Sequence, residues 1–269
     1  IMESNLSYQD KRTGRRFEVI ACSGIGKREC QQDAAWWYED DSAVYAVLCD
    51  GMGGLGGGEL ASAAAIQEIQ AQIPNYIVDM KQSASWMQKT VQEANQKVYA
   101  LKNEAGEPMG CGSTMVAVLI KDDKLYWASV GDSRAYIFRA QEAVQMTTDL
   151  NYFYLLKQRL QNGEISQEDY DREADSGDAL ISFLGLEHLS LIDQNTEPLR
   201  VFPGDKVLLC SDGLYRTIDA LWMRDILSAC GELSQIPRFI HDIIDEHGDQ
   251  QQDNYTCVLI QINGSDTEK

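Results

Sequence analysis

Three apolar runs of this chain end in an aspartate beside a glycine. Ala43-Val44-Tyr45-Ala46-Val47-Leu48-Cys49 leads into Asp50-Gly51, Leu125–Val130 into Gly131-Asp132, and Val207-Leu208-Leu209-Cys210 into Ser211-Asp212-Gly213. A fourth run, Tyr255–Ile262, is preceded by Asp253-Asn254. Taken alone, each is an ordinary turn, because Asp and Gly dominate turns. Taken together they suggest chemistry. If the strands lie in packed sheets, their ends can meet at one rim, and carboxylates gathered there repel one another unless a cation neutralises them. Such oxygen ligands suit Mg2+ or Mn2+. Zinc would favour His and Cys, and His188, His241 and His247 lie away from these motifs. Gly51, lacking a side chain, would let its own carbonyl approach a cation.

The stretch Gly51-Met52-Gly53-Gly54-Leu55-Gly56 also fits the Gly-x-Gly-x-x-Gly fingerprint of dinucleotide-binding loops. It follows a strand and precedes a helix, and Asp79 stands roughly where an acidic partner about 20 residues on would be. A nucleotide-cofactor enzyme is therefore the alternative reading. Against it, Asp50 would repel a pyrophosphate, and the chain lacks the strand-helix alternation of that fold. A phosphate loop of the Gly-Lys-Ser/Thr kind is absent.

The elements that must position these carboxylates follow from periodicity. Strands are expected at Phe17–Ile25, Ala34–Tyr38, Ala43–Cys49, Ser113–Ile120, Lys124–Val130, Arg134–Phe138, Lys206–Cys210 and Tyr255–Ile262. The short connections Asp122-Asp123 and Gly131-Asp132-Ser133 suggest antiparallel hairpins. Helices are expected at Gly58–Gln72, Ala84–Glu104, Tyr152–Asn162, Gln167–Glu173, Ala220–Cys230 and Ser234–His247. Blocks of strands between blocks of helices favour antiparallel sheets with helices outside, an α+β architecture. No Pro/Ser-rich linker divides the chain, so residues 1–269 read as one domain. The polar, acidic stretch Gly163–Asp178 reads as a mobile surface segment.

The bulk properties narrow the function. A net charge of −19 over 269 residues excludes the clustered Lys and Arg of a nucleic-acid binder and disfavours an anionic membrane surface. Seven cysteines without C-x-x-C spacing give no zinc or redox motif, and Cys49, Cys210 and Cys257 lie in apolar runs as reduced core thiols. That usage points to a reducing, cytoplasmic setting. No apolar run reaches the ~18 residues of a membrane span, and Ile1–Gln9 has no leader pattern. The Ile before Met2 points to an altered or partial start.

In this order the motifs resemble the PPM family of type-2C serine/threonine phosphatases, particularly its bacterial branch, over nearly the whole chain. Arg28-Glu29-Cys30-Gln31-Gln32-Asp33 is similar to the family's Arg-x-x-Asn-Gln/Glu-Asp, with Gln31 replacing Asn. Asp50-Gly51-Met52-Gly53-Gly54 with Gly58-Glu59 and Ala61-Ser62 is similar to its central Asp-Gly motif. Gly112-Ser113-Thr114, Val130-Gly131-Asp132-Ser133-Arg134, Gly204-Asp205, Ser211-Asp212-Gly213-Leu214 and Asp253-Asn254-Tyr255-Thr256 follow.

The resemblance implies an αββα sandwich of two antiparallel sheets flanked by helices. It implies a signalling enzyme that hydrolyses phosphoserine and phosphothreonine in proteins, opposed by a Ser/Thr kinase. A metal-activated water would attack in line, with no phosphoenzyme, in a centre of two or three Mn2+ or Mg2+ ions. Asp50 would bridge two metals, and the Gly51 carbonyl would bind one of them. Asp212 and Asp253 would hold the other, with Asp33 acting mainly through bound water. Asp132, with Asp212, would hold the weaker third ion, and Arg28 would bind the substrate phosphate. Arg134 reads as structural, paired near the Asp132 turn. Met52 stands where many eukaryotic members place a His, as in bacterial members, which leaves protonation of the leaving group unassigned. Asp149–Leu186 is similar to the family's flap, but its second half, Gly177–Gly185, lacks the usual arginine. A non-catalytic scaffold of this fold would be favoured by loss of metal aspartates, yet every expected Asp is present; a phosphatase specialised in anti-sigma-factor antagonists would share fold and metals.

Overall fold

A computed structural model describes residues 16–54, 56–76 and 83–264. The stretch Ile1–Gln9, Leu55 of the glycine-rich loop, and Asp79 lie outside these residues. The described chain runs β1 (Phe17–Gly24), β2 (Asp33–Glu39), β3 (Ala43–Met52), α1 (Gly57–Tyr76), α2 (Ser83–Tyr99), β4 (Gly112–Ser113), β5 (Met115–Lys121), β6 (Lys124–Val130), β7 (Arg134–Arg139) and β8 (Glu142–Gln145). It continues through α3 (Tyr152–Gln161), α4 (Gln167–Glu173), β9 (Asp193–Gln194), β10 (Leu199–Arg200), β11 (Lys206–Cys210), α5 (Asp212–Tyr215), α6 (Ala220–Ala229), α7 (Ile236–His247) and β12 (Tyr255–Ile262).

The strands form two antiparallel sheets. One has the order β1-β12-β11-β7-β8, and the other β10-β6-β5-β3-β2, with β4 beside β3 and β9 beside β6. Alternation along each inner strand explains the layering, since successive side chains point to opposite faces. Tyr45, Val47 and Cys49 of β3, with Met115, Ala117 and Leu119 of β5, pack under α1 and α2. Their neighbours Val44, Ala46, Leu48, Val116, Val118 and Ile120 meet Val207, Leu209, Val258 and Ile260 between the sheets. Cys257 and Leu259 of β12 then face Ile226 of α6 and Ile240 and Ile244 of α7. Strands buried on both faces read as unbroken apolar runs, and the result is the expected αββα sandwich. The parallel, alternating sheet of a dinucleotide-binding enzyme is not the fold, so that alternative is set aside.

Most strands and helices fall within a residue or two of expectation. Three differences are physical. Gly131-Asp132-Ser133 is not a hairpin: β6 and β7 belong to different sheets, and this connection crosses between them. Asp122-Asp123 is one, with both residues at positive φ (50° and 59°), as a two-residue hairpin needs. Helix α2 stops at Tyr99 rather than Glu104, because Asn103 accepts backbone N–H bonds from Ala105 and Glu107 and turns the chain. The short edge strands β8, β9 and β10 and the one-turn α5 were too brief to carry a periodic signal. Helix α4, within the acidic stretch 163–178, has the expected bounds and is opened by a reciprocal Ser166/Asp169 capping box.

Cys49, Cys210 and Cys257 are buried free thiols. No helix among the described residues is long and apolar enough to cross a membrane. Leu119 lies in the helix-facing layer with no exposed surface. Leu119→Ala should lower unfolding free energy by about 2–5 kcal/mol, read as a shifted urea midpoint at unchanged slope.

Candidate metal centre

Antiparallel pairing brings five segment ends to one rim. Asp33 opens β2 and stands directly opposite Asp50 near the end of β3. Asp132 sits in the connection that crosses from β6 to β7. Asp212 follows β11, and Asp253 precedes β12. The register Cys210↔Cys257 aligns those last two ends. All five sequence-predicted aspartates are thus brought together.

The backbone around each is fixed by groups that had no assigned role. The Asp50 N–H donates to Thr114 Oγ1 (3.0 Å), and its carbonyl accepts from Thr114 N (2.8 Å) and Ser113 Oγ (3.0 Å). Thr114 Oγ1 also bonds Ser133 Oγ at 2.7 Å, tying β3 to the Asp132 connection. Gly131 adopts φ 89° there, a conformation that favours glycine. The Asp33 N–H donates to Gln31 Oε1 (2.9 Å), while Gln31 Nε2 donates to Ser23 Oγ and the Gly24 carbonyl, both at 3.0 Å. Gln31, which departs from the family's Asn, therefore still links β1 to Asp33. Asn254 accepts from Gln32 N and donates to the carbonyls of Ile25 and Cys30, wrapping the Arg28 loop onto the start of β12.

Gly51 has a steric reason beyond its carbonyl. A Cβ there would lie 1.9 Å from the Gly58 carbonyl oxygen, so the end of β3 and the first turn of α1 require a residue without a side chain.

The carboxylates are poorly compensated. Burial first, then Asp33, Asp212, Asp132 and Asp253, push the Asp50 pKa well up. Burial, with smaller pushes from Asp212 and Asp253, raises Asp33 to about 6, although Ser211 Oγ donates to its Oδ2 at 2.7 Å. Burial, Asp212 and Asp149 lift Asp132 to about 7 against the pull of Arg216. Asp212 is raised by burial and by Asp253, with Arg216 opposing. Two oxygens, Asp33 Oδ1 and Asp212 Oδ1, are buried without any hydrogen-bond partner. An unpaired buried carboxylate oxygen is costly, and a hard cation satisfies it. The donor set is all oxygen and thus fits Mg2+ or Mn2+. No three acidic or thiol side chains among the described residues close into a single ligand shell. Instead Arg28 Nη2 holds Asp253 Oδ2 at 2.6 Å, and Arg216 Nε holds Asp212 Oδ2 at 3.0 Å.

Arg28 therefore stands at the rim rather than as an isolated surface charge. Arg134 is structural as expected. It donates to both oxygens of Asp149 and to Tyr136, and stacks 3.6 Å over the Tyr215 ring. Arg216 was missed. Its signal is the i,i+4 spacing from Asp212, which only matters once α5 is known to be helical. Leu184, at the end of the flap, pairs with Ser113, and Asn95 of α2 holds Gly185 and Leu186.

Carboxylates gathered at one rim of two antiparallel sheets are the kind of site that a metal-dependent hydrolase needs. Residues 23–245 match the family model for Protein phosphatase 2C, and the chain belongs to that family. Among curated relatives, it is 29% identical over 225 residues to a serine/threonine phosphatase, Stp, of Listeria innocua, covering 83% of this chain and 86% of the relative. Among solved structures, it superposes on the Streptococcus agalactiae serine/threonine phosphatase with TM-score 0.77 at 23% identity, covering 92% and 100% of the two chains. It also matches the catalytic domain of the phosphatase PstP, solved with two manganese ions, at TM-score 0.71 and 24% identity, covering 92% and 99%.

The raised carboxylates give the stability a defined pH response in EDTA. Asp33 and Asp132 have folded pKa values above their unfolded ones, so their contribution is full below about pH 4 and is lost as pH rises through about 6 and about 7. Chemical denaturation in EDTA should therefore give a protein more stable at pH 5.5 than at pH 8, by on the order of 1–3 kcal/mol. Equal or lower stability at pH 5.5 would contradict the charge reading of the rim.

Proposed function

We propose that this protein phosphatase 2C hydrolase removes phosphate from phosphoserine and phosphothreonine side chains of proteins, and that its chemistry sits at the aspartate rim. The observation that carries this is the convergence of Asp33, Asp50, Asp132, Asp212 and Asp253, with buried oxygens on Asp33 and Asp212 left unpaired. Asp50 and the Gly51 carbonyl, with Asp33, Asp212 and Asp253, would hold two Mn2+ or Mg2+ ions; the family resemblance puts a weaker third position at Asp132 with Asp212. Bound divalent cations would supply an acidified water as nucleophile and offset charge on the phosphoryl oxygens.

The remaining work falls to the protein. Arg28, half-exposed and anchored at one nitrogen by Asp253, has its other donors free to grip two phosphate oxygens and align the ester. Thr114, Gln31 and Asn254 hold Asp50, Asp33 and the Arg28 loop in place before substrate arrives, so little reorganisation is needed. In the reaction the water oxygen bonds to phosphorus, the ester P–O bond breaks, and a proton passes to the departing Ser or Thr oxygen. The acidic chain suits a cytoplasmic protein, and the family resemblance implies an opposing Ser/Thr kinase. We read the whole chain as one catalytic domain.

Hydrolysis of p-nitrophenyl phosphate and of a phosphothreonine peptide tests this directly. Turnover should require Mn2+ or Mg2+, stop in EDTA, and fall to background in Asp50→Asn and Asp212→Asn. A folded wild type inert with both metals would sink the enzyme reading and leave a metal-binding scaffold.

A further inference from the structure

Arg216 is a rim residue whose position has no role in the scheme above. It ends α5, with its backbone N–H bonded to the Asp212 carbonyl at 3.0 Å. One helical turn therefore sets its side chain beside that of Asp212, and Nε lies 3.0 Å from Asp212 Oδ2. Its Nη1 lies 3.7 Å from Asp178 Oδ2, in the flap. The helix that presents it is pinned on both sides. Tyr215 is covered by Arg134, and Thr217 Oγ1 donates to Gln252 Oε1 at 2.8 Å. Asp132, from the inter-sheet connection, also feels the Arg216 charge. A single guanidinium thus stands among carboxylates from three separate segments.

As a surface ion pair the contact with Asp178 adds little stability. Its charge matters more. Asp178 and the five rim aspartates carry six negative charges when ionised. Two divalent cations with Arg28 and Arg216 carry six positive ones. A further divalent ion beside Asp132 would face an arginine already paired with Asp212, and like charges so close repel strongly.

We propose that Arg216 is the resident cation of the Asp132–Asp212 half of the rim, taking the place of a third divalent ion there and linking that half to the flap through Asp178. The inference rests on the proposed metal centre and adds a positioning residue to it. It makes the metal count a property of one side chain.

The test is Mn2+ uptake by the full chain, counted by titration calorimetry and by the paramagnetic resonance of free Mn2+. Arg216→Gln should take up one more Mn2+ per chain than wild type, at concentrations where wild type shows none. Arg216→Lys, which keeps the charge, should return to the wild-type count. The additional ion should vanish in the double variant Asp132→Asn, Arg216→Gln. Circular dichroism confirms that each variant is folded. An Arg216→Gln protein that titrates like wild type overturns the inference while leaving the metal centre standing, as does an additional ion that persists without the Asp132 carboxylate. Wild type that takes up no Mn2+ overturns the metal centre, and this inference with it.

Discussion

Like charge held in place by backbone geometry governs this molecule. Asp33 and Asp50 face each other across paired strands, an arrangement that destabilises a sheet when both are ionised. Asp132, Asp212 and Asp253 add to the same field. The scaffold does not relax it. Thr114, Ser113, Gln31, Ser211 and Asn254 spend their hydrogen bonds keeping the carboxylates at the rim. A fold that maintains such a cluster is set up for a positively charged guest, and stability is given up locally for function.

The sandwich makes this possible. Each inner strand is apolar on both faces, so the sheets are rigid and their polar groups are confined to the ends. Antiparallel pairing fixes which ends share a rim: the ends of β1, β3, β6 and β11 lie with the starts of β2, β5, β7 and β12. The crossing at 131–133 joins the two sheets at that same edge. A one-residue slip in any pairing would turn a core face outward and remove a carboxylate from the cluster, so packing and chemistry enforce the same register.

Much of this was legible in the sequence, for a physical reason. Strands buried on both faces leave long apolar runs, and an Asp-Gly ending a run marks where the strand leaves the core. Asp50, Asp132 and Asp212, and Asp253 ahead of the last run, were therefore identifiable before any coordinates, whereas Asp33 and Arg28 came from the motif they share. What was hidden depends on three dimensions. A three-residue link between strands looks the same whether it makes a hairpin or passes between sheets, so 131–133 was misjudged. The edge strands β8, β9 and β10 are two to four residues long and carry no period. Arg216 was invisible because α5 is a single turn, and the flap carboxylate it reaches is 38 positions earlier in the chain.

The central claim is that ionised carboxylates at the rim oppose folding until cations bind. Thermal unfolding of wild type and Asp50→Asn, each in EDTA and in Mn2+ at pH 7.5, tests it most directly. The account predicts that Asp50→Asn melts above wild type in EDTA, and that Mn2+ raises wild type well past the variant, which responds weakly. A wild type unmoved by Mn2+, with Asp50→Asn melting below it in EDTA, would contradict the account.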